Sequence, residues 1–339
     1  MKAVAYRKSL PISDPKVLED ITVEKPHASG KDILVKVEAI SVNPVDAKAR
    51  QRMDPPEGGH IILGWDATGI VEEVGDDVQL FKKGDQVWYA GALERPGANA
   101  EYHVVDERVV SRMPETLSFA DAAALPLTSL TAWEILFDRF RIDSDTTGTL
   151  LVVGGAGGVG SIMIQLAKKL TQLKVVATAS RPETIEWVKE MGADGVINHR
   201  NPLSEELRET EIESVEYVAS LTHTDKHLLE IEKVLAPQGH MAVIDDPKTL
   251  DIMPFKRKSI GIHWELMFTR HLFQTPDMIE QHRILAKVAG LVDQGLVVTT
   301  KQRHLGCINA ENLIKAHELQ ESGTAIGKTV LAGFEASSG

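Results

Sequence analysis

Between Leu150 and Ser161 the chain reads Leu-Leu-Val-Val-Gly-Gly-Ala-Gly-Gly-Val-Gly-Ser, an apolar strand-like run that breaks into glycine and resumes as a helix to about Leu170. Gly155-x-Gly157-x-x-Gly160 at a strand–helix junction is the phosphate-binding turn of a βαβ unit. The first glycine is expected to permit the turn and the second to let backbone approach a pyrophosphate. The third lets the helix pack on its sheet, with its first amides facing the phosphates. Gly155, Ala156, Gly157, Gly158, Val159 and Gly160 are therefore expected to hold a dinucleotide; a merely tight turn is the alternative. The uncharged stretch from Thr146 to Ala167 is long enough to span a bilayer. Its five glycines between Gly154 and Gly160 suit a backbone turn instead.

The rest of the chain fits around this unit. Strand candidates at 149–153, 173–179, 195–198, 215–221, 240–245 and 259–267 alternate with amphipathic helical stretches, which implies a parallel, doubly wound sheet. The helix at 182–191 has proline in its first turn and Gly192 just past its end. Before this region, short strands near 33–40, 69–75, 83–89 and 100–105 are separated by Gly, Pro and Asp clusters, as in a barrel or sandwich. Ser118 is an N-cap candidate. After it the pattern predicts a helix near 276–294, a strand near 296–305, a helix near 310–321 and a last strand from Lys328. The residues from Glu335 to Gly339 are expected to fray.

The second strand of the doubly wound region decides which dinucleotide is expected. A NAD site places a carboxylate at its end to bond the ribose 2′-hydroxyl. Here the strand ends in Ser180 and Arg181, and a guanidinium can pair with a 2′-phosphate, so NADP(H) is expected. The alternative for Arg181 is a solvated side chain starting a helix. Leu221-Thr222 and Ile244-Asp245 end the fourth and fifth strands, where cofactor lies in such sheets. A net charge of −12 argues against nucleic acid or an anionic membrane as partner. The single cysteine, Cys307, excludes a disulfide framework and any zinc site built from several thiolates. It fits a reducing cytoplasm, and Met1–Leu10 has no signal-peptide core, since Lys2, Arg7 and Lys8 interrupt it.

Several motifs in order carry a family resemblance. Val42-Asn-Pro-Val-Asp46, Leu63-Gly-Trp-Asp-Ala-Thr-Gly69, Phe81-Lys-Lys-Gly-Asp-Gln-Val87, Ala122–Trp133, the glycine turn and Met191-Gly-Ala-Asp194 resemble the medium-chain dehydrogenase/reductase superfamily. The match is to its quinone oxidoreductase branch, and especially to bacterial zinc-type alcohol dehydrogenase-like proteins. The resemblance implies an α/β architecture: a GroES-like β-barrel domain over 1–125, completed by 269–339, and a Rossmann domain over 126–268, with an active site at their junction. It also places the superfamily's catalytic zinc ligands at Asn43, Trp65 and Leu127. An amide, an indole and an isobutyl group cannot make an open tetrahedral site, so no zinc is expected. His223 and His227, four apart on a helix face, are the other ligand candidates, with only Asp225 or Glu230 nearby; a solvated face is the simpler reading.

Without a metal, alcohol oxidation lacks its means of making an alkoxide. Hydride transfer to a quinone or an α,β-unsaturated carbonyl needs less help, because the acceptor delocalises the arriving charge onto oxygen. By resemblance Asn43 bonds the nicotinamide ribose or the substrate oxygen, unless it is only a turn residue before Pro44. Thr131 borders the nicotinamide, with Thr128 one turn earlier. Trp65 and Trp88 are candidate walls for a flat acceptor, or core residues. Asp46 and Asp66 read as structural partners. Lys328 either reaches a cofactor phosphate or lies on the surface. Ser259–Phe268 reads as a long apolar edge strand that pairs with its mate in a homodimer. The expected function is zinc-independent, NADPH-dependent reduction of a small electrophilic acceptor. The competing readings are an alcohol dehydrogenase with unusual zinc ligands and a non-catalytic NADPH-binding sensor.

Overall fold

The structure, a computed structural model, describes residues 1–335. Positions 336–339, most of the expected fraying tail, lie outside the described residues. Glu335 itself is bonded: its carbonyl accepts Lys2 Nζ at 2.7 Å and its carboxylate accepts Asn309 Nδ2 at 3.3 Å. Two compact units are present, one formed by residues 1–130 with the segment from Phe268 onward, the other by Thr131–Met267.

The first unit begins with β1 (Lys2–Tyr6), β2 (Glu19–Thr22), β3 (Asp32–Val42), α1 (Pro44–Arg52), β4 (Ile61–Ile62) and β5 (Ala67–Val74). It continues through β6 (Gln86–Tyr89), β7 (Tyr102–Asp106), β8 (Val110–Arg112), α2 (Phe119–Ala122) and the start of α3 (Pro126–Trp133). Ser118 caps α2 by accepting the Asp121 N–H, as its sequence position predicts.

The second unit alternates strand and helix: β9 (Thr149–Val153), α4 (Gly158–Leu170), β10 (Lys174–Thr178), α5 (Pro182–Glu190), β11 (Gly195–Ile197) and α6 (Leu203–Glu209). Then come β12 (Val215–Ser220), α7 (Thr224–Val234), β13 (Leu235–Val243) and β14 (Gly261–Trp264). The six strands form one parallel sheet in the order β11-β10-β9-β12-β13-β14. The connections therefore change direction at β9, and the glycine turn follows that strand, where a doubly wound sheet opens a ligand crevice. Leu151, Val176, Val218, Met241 and Val243 are fully buried, as expected of strands covered on both faces.

The turn's glycines divide the work differently from the sequence expectation. Gly154, at φ +87°, makes the left-handed bend that had been assigned to Gly155. A Cβ on Gly155 would lie 2.7 Å from the Ala177 Cβ, and one on Gly160 would lie 2.5 Å from the Gly155 carbonyl oxygen. Both are close-packing positions. A Cβ on Gly157 would meet nothing nearer than 3.5 Å, so its backbone faces open space.

The expected edge strand over 259–268 is shorter: β14 spans Gly261–Trp264. Ser259 sits in the left-handed region at φ +55° and closes a 3-10 turn over Met253–Lys258, which shortens the strand from its start. Ile260 and Ile262 pack on the sheet's core, whereas Trp264 is 58% exposed. Among the described residues no helix is long and apolar enough to cross a membrane.

The chain then returns to the first unit through α8 (Thr269–Leu272), α9 (Glu280–Asp293), β15 (Lys301–His304), α10 (Ala310–Glu321) and β16 (Lys328–Ala332). β16 runs antiparallel to β3 and β3 antiparallel to β5, within the order β15-β16-β3-β5-β6-β8, and β7 also pairs β3. A smaller sheet has the order β2-β1-β4.

The glycine packing gives a stability prediction. Gly160→Ala forces a methyl group against backbone oxygen and should cost ~1–3 kcal/mol, seen as a Tm several degrees lower. Gly157→Ala should melt within about a degree of the parent, since its space is open. Calorimetry of both variants checks this; equal losses would refute the division of roles.

Candidate functional site

In the parallel-sheet unit, Gly157 is the N-cap of α4, with extended backbone at φ −74° and ψ 176°. The amides of Gly158, Val159 and Gly160 begin the helix and have no acceptor within it. The turn is tied to the second strand by the Gly154 N–H, which donates to Thr178 Oγ1 at 3.0 Å. Just beyond that strand, Ser180 and Arg181 are half-buried. Arg181 is the N-cap of α5; its N–H donates to Thr184 Oγ1 at 3.1 Å, and that hydroxyl donates to the Arg181 carbonyl at 2.8 Å. The guanidinium Nε lies 3.3 Å from the exposed Glu183 carboxylate. It is thus an ion-paired residue rather than a freely solvated one.

The other strand ends complete this side. The Leu221 N–H donates to the Val153 carbonyl at 3.1 Å. The Thr222 methyl comes within 2.9 Å of where a Gly154 Cβ would stand, so Leu221 and Thr222 border the turn directly. Ile244 is half-buried, and Asp245 accepts the Thr224 N–H at 2.9 Å, which anchors the start of α7. His199 follows the third strand, its ring centroid 6.3 Å from that of His227. Burial holds both imidazoles below the usual histidine range, and neighbouring cations add to it: Arg200 and Arg181 for the first, Lys226 for the second.

This end offers open glycine backbone, unpaired helix amides, a guanidinium at the second strand and no acidic residue among Ala179, Ser180 and Arg181. Such an arrangement fits a dinucleotide that carries an additional phosphate on its ribose. The carboxylates of Asp225 and Glu230 act on the His227 imidazole in the opposite direction to Lys226. Among the described residues, no group of three or more His, Cys, Asp or Glu side chains is placed to hold a metal ion.

The β-rich unit holds a second constellation, built by register. Thr329 pairs with Val42 across β16 and β3, so Lys328 lies opposite Asn43. Ile40 pairs with Ala67 across β3 and β5, so Asp66 lies opposite Ser41. Asn43, Asp66 and Lys328 are 1%, 0% and 2% exposed, respectively. Asp66 Oδ2 accepts from Lys328 Nζ at 2.8 Å, Asn43 Nδ2 at 2.8 Å and Ser41 Oγ at 3.0 Å, and Oδ1 accepts the Leu127 N–H at 2.8 Å. Lys328 Nζ also donates to Asn43 Oδ1. The lysine therefore neither lies on the surface nor reaches outward to a phosphate; the buried carboxylate holds its ammonium inward.

Asp46 closes the cluster by accepting the Asn43 N–H at 2.8 Å. Burial pushes its carboxyl up to about 7, opposed by the Asn43 bond and the Lys328 charge and assisted by the Asp66 charge. The three positions matched to zinc ligands present no coordinating set. The Asn43 oxygen accepts an ammonium, the Trp65 indole donates to the Ala92 carbonyl at 3.0 Å, and Leu127 contributes only backbone.

The remaining expected residues are placed as follows. Trp65 is 3% exposed and stacks edge-on against Phe268 at 6.4 Å. Trp88 has no exposed surface and its enclosed Nε1 finds no acceptor, so it packs as a core residue rather than as a pocket wall. Thr128 donates its hydroxyl to the carbonyl of Leu125, the residue just before its own helix, at 3.1 Å. Thr131 is buried in the other unit.

Comparison with known proteins follows the same division. An alcohol dehydrogenase GroES-like domain matches residues 29–115, and a zinc-binding dehydrogenase domain matches residues 158–280. A zinc-type alcohol dehydrogenase-like protein of Staphylococcus epidermidis is 40% identical over 336 residues, 98% of this chain and 99% of that one. A Rhizobium etli crystal structure, provisionally assigned as a zinc-dependent alcohol dehydrogenase, superposes with TM-score 0.95 at 54% identity, covering 99% of each chain. The quinone oxidoreductase of Escherichia coli in complex with NADPH superposes with TM-score 0.81 at 25% identity, over 98% of this chain and 100% of that one.

The buried carboxyl of Asp46 has a measurable consequence. Its folded-state pKa lies above the ordinary 3.8, so the fold binds its proton more tightly than the unfolded chain does. Its contribution is most favourable below the unfolded pKa and is lost as pH rises through about 7. Asp46→Asn keeps an acceptor for the Asn43 N–H and removes the ionisation. The Tm of the variant minus that of the parent should therefore increase between pH 5 and pH 8; a difference independent of pH would contradict the assignment.

Proposed function

The chain belongs to the medium-chain dehydrogenase/reductase superfamily, in its quinone oxidoreductase-like branch, and on that premise we propose that it is a zinc-independent, NADPH-dependent reductase of quinones or α,β-unsaturated carbonyls. The observation that carries this reading is the chemistry at positions 43, 65 and 127: an amide bonded to an ammonium, an indole and an isobutyl group. None of them can polarise an alcohol towards its alkoxide. An electron-poor acceptor does not need that step; it takes up hydride and spreads the charge onto an oxygen that one hydrogen-bond donor can stabilise.

In this reading the amides after Gly157 hold the pyrophosphate, with Gly155, Ala156, Gly158, Val159 and Gly160 shaping the turn. Ser180 and Arg181 take the 2′-phosphate, and Leu221, Thr222 and Ile244 border the bound nucleotide. Bound NADPH supplies the hydride. Asn43 offers the N–H left over after Asp66, Thr131 borders the nicotinamide, and Trp65 with Thr128 walls the acceptor. Residues 1–125 with 269–339 close as a GroES-like barrel, and 126–268 form the NADP(H)-binding domain. The unpaired edge of β14, with Trp264 at its exposed end, joins two copies into a homodimer.

NADPH and NADH oxidation measured against a panel of quinones, enals and enones tests the function. Turnover is expected with NADPH and at least one of these classes. Tight NADPH binding without turnover on any acceptor would leave a binding protein, and activity that tracks stoichiometric zinc would favour an alcohol dehydrogenase. Arg181→Ala should weaken NADPH binding by about tenfold or more while changing NADH binding little, because only one ligand carries the 2′-phosphate; equal losses for both would reject the assignment. Trp264→Glu should shift the sedimentation of a dimer to that of the 37.2 kDa monomer.

A further inference from the structure

The node around Asp66 contains one cation, and its geometry determines what Asn43 can offer. An ammonium only donates and a carboxylate only accepts. Lys328 Nζ donates to Asn43 Oδ1, and Asn43 Nδ2 donates to Asp66 Oδ2 at 2.8 Å. Both ends of the amide are therefore identified by their partners. Flipping it would set NH₂ against an ammonium and oxygen against a carboxylate, with both groups out of water. After these bonds Asn43 retains one N–H for which the node supplies no acceptor, so what the group can offer a ligand is a donor.

We propose that Lys328 is a positioning residue whose buried ammonium locks the Asn43 amide with one N–H free of the node, so that this N–H can stabilise the oxygen on which charge develops during reduction. The proposal rests on the reductase reading for its substrate, but the orientation of the amide can be read without any turnover. Lys328 also does mechanically what a bound cation would do at this place. Together with Asp66 it joins β16, the end of β3, the residue preceding β5 and the backbone of α3 at Leu127.

The orientation is tested by the Asn43 side-chain NH₂ signals in ¹⁵N-labelled protein, assigned by their loss in Asn43→Ala. The parent should show a single pair protected from solvent exchange. Lys328→Met should give two pairs, or exchange at least tenfold faster, and Lys328→Arg should restore the single protected pair. Because Lys328→Met leaves Asp66 without its cation, Lys328→Met/Asp66→Asn is measured alongside it; this neutral pair removes the uncompensated charge and keeps one side-chain oxygen at position 66 in place of two.

Kinetics with the acceptor found by the panel provide the second readout. Lys328→Met should lower kcat by about 10²-fold, with the NADPH dissociation constant, from fluorescence titration, within about threefold of the parent. Lys328→Met/Asn43→Ala should be no slower than Asn43→Ala alone, because both changes remove the same donor. An unchanged, protected NH₂ pair in Lys328→Met and in the neutral pair would overturn the proposal, as would losses in kcat that multiply in the double variant. If the parent turns over no acceptor, the reductase reading fails while the amide signals still decide the orientation.

Discussion

Asp66 has no exposed surface, and a carboxylate so placed must be surrounded by donors or take up a proton. Four donors from three parts of the chain converge on it: the Ser41 hydroxyl, the Asn43 amide, the Leu127 N–H and the Lys328 ammonium. Meeting that requirement fixes much of the β-rich unit. The strand from the C-terminal segment must lie beside β3 for Lys328 to arrive, and the start of α3 must turn its backbone inward. Removing the cation alone would leave an uncompensated buried charge, which typically costs ~3–5 kcal/mol.

The same node bears on chemistry. At Asn43, one of the positions matched to zinc ligands, this chain has an ammonium that cannot bind a substrate oxygen as a Lewis acid does. It can orient an amide and place positive charge near it. That is weak assistance for removing a proton from an alcohol and adequate assistance for an oxygen that becomes negative as an acceptor is reduced. The relatives' shared name refers to zinc, while the residues at the relevant positions in this chain direct the reading towards activated acceptors.

The dinucleotide turn depends on a different constraint, the close approach of backbone to backbone. Gly155 and Gly160 admit no side chain because Ala177 and the Gly155 carbonyl occupy the space, and Gly154 takes a conformation that other residues rarely adopt. Gly157 differs in leaving its space open, as a backbone that faces a ligand requires.

Most of the parallel sheet was legible in the sequence. Its strands are short apolar runs punctuated by glycine and proline, and its ligand turn is a contiguous motif, so local pattern and local geometry coincide. The length of the edge strand was not legible, because a left-handed Ser259 interrupts an apolar run without any mark in the pattern. Lys328 was beyond sequence reasoning for a stronger reason. Its partners Asn43 and Asp66 lie 285 and 262 residues away, and only strand register brings them together. The sequence by itself determined that the chain holds a dinucleotide turn with an arginine at the second strand, and that the zinc-ligand positions carry no ligands. Only the tertiary structure decided what stands there instead, because a buried charge is satisfied by neighbours in space, whatever their distance along the chain.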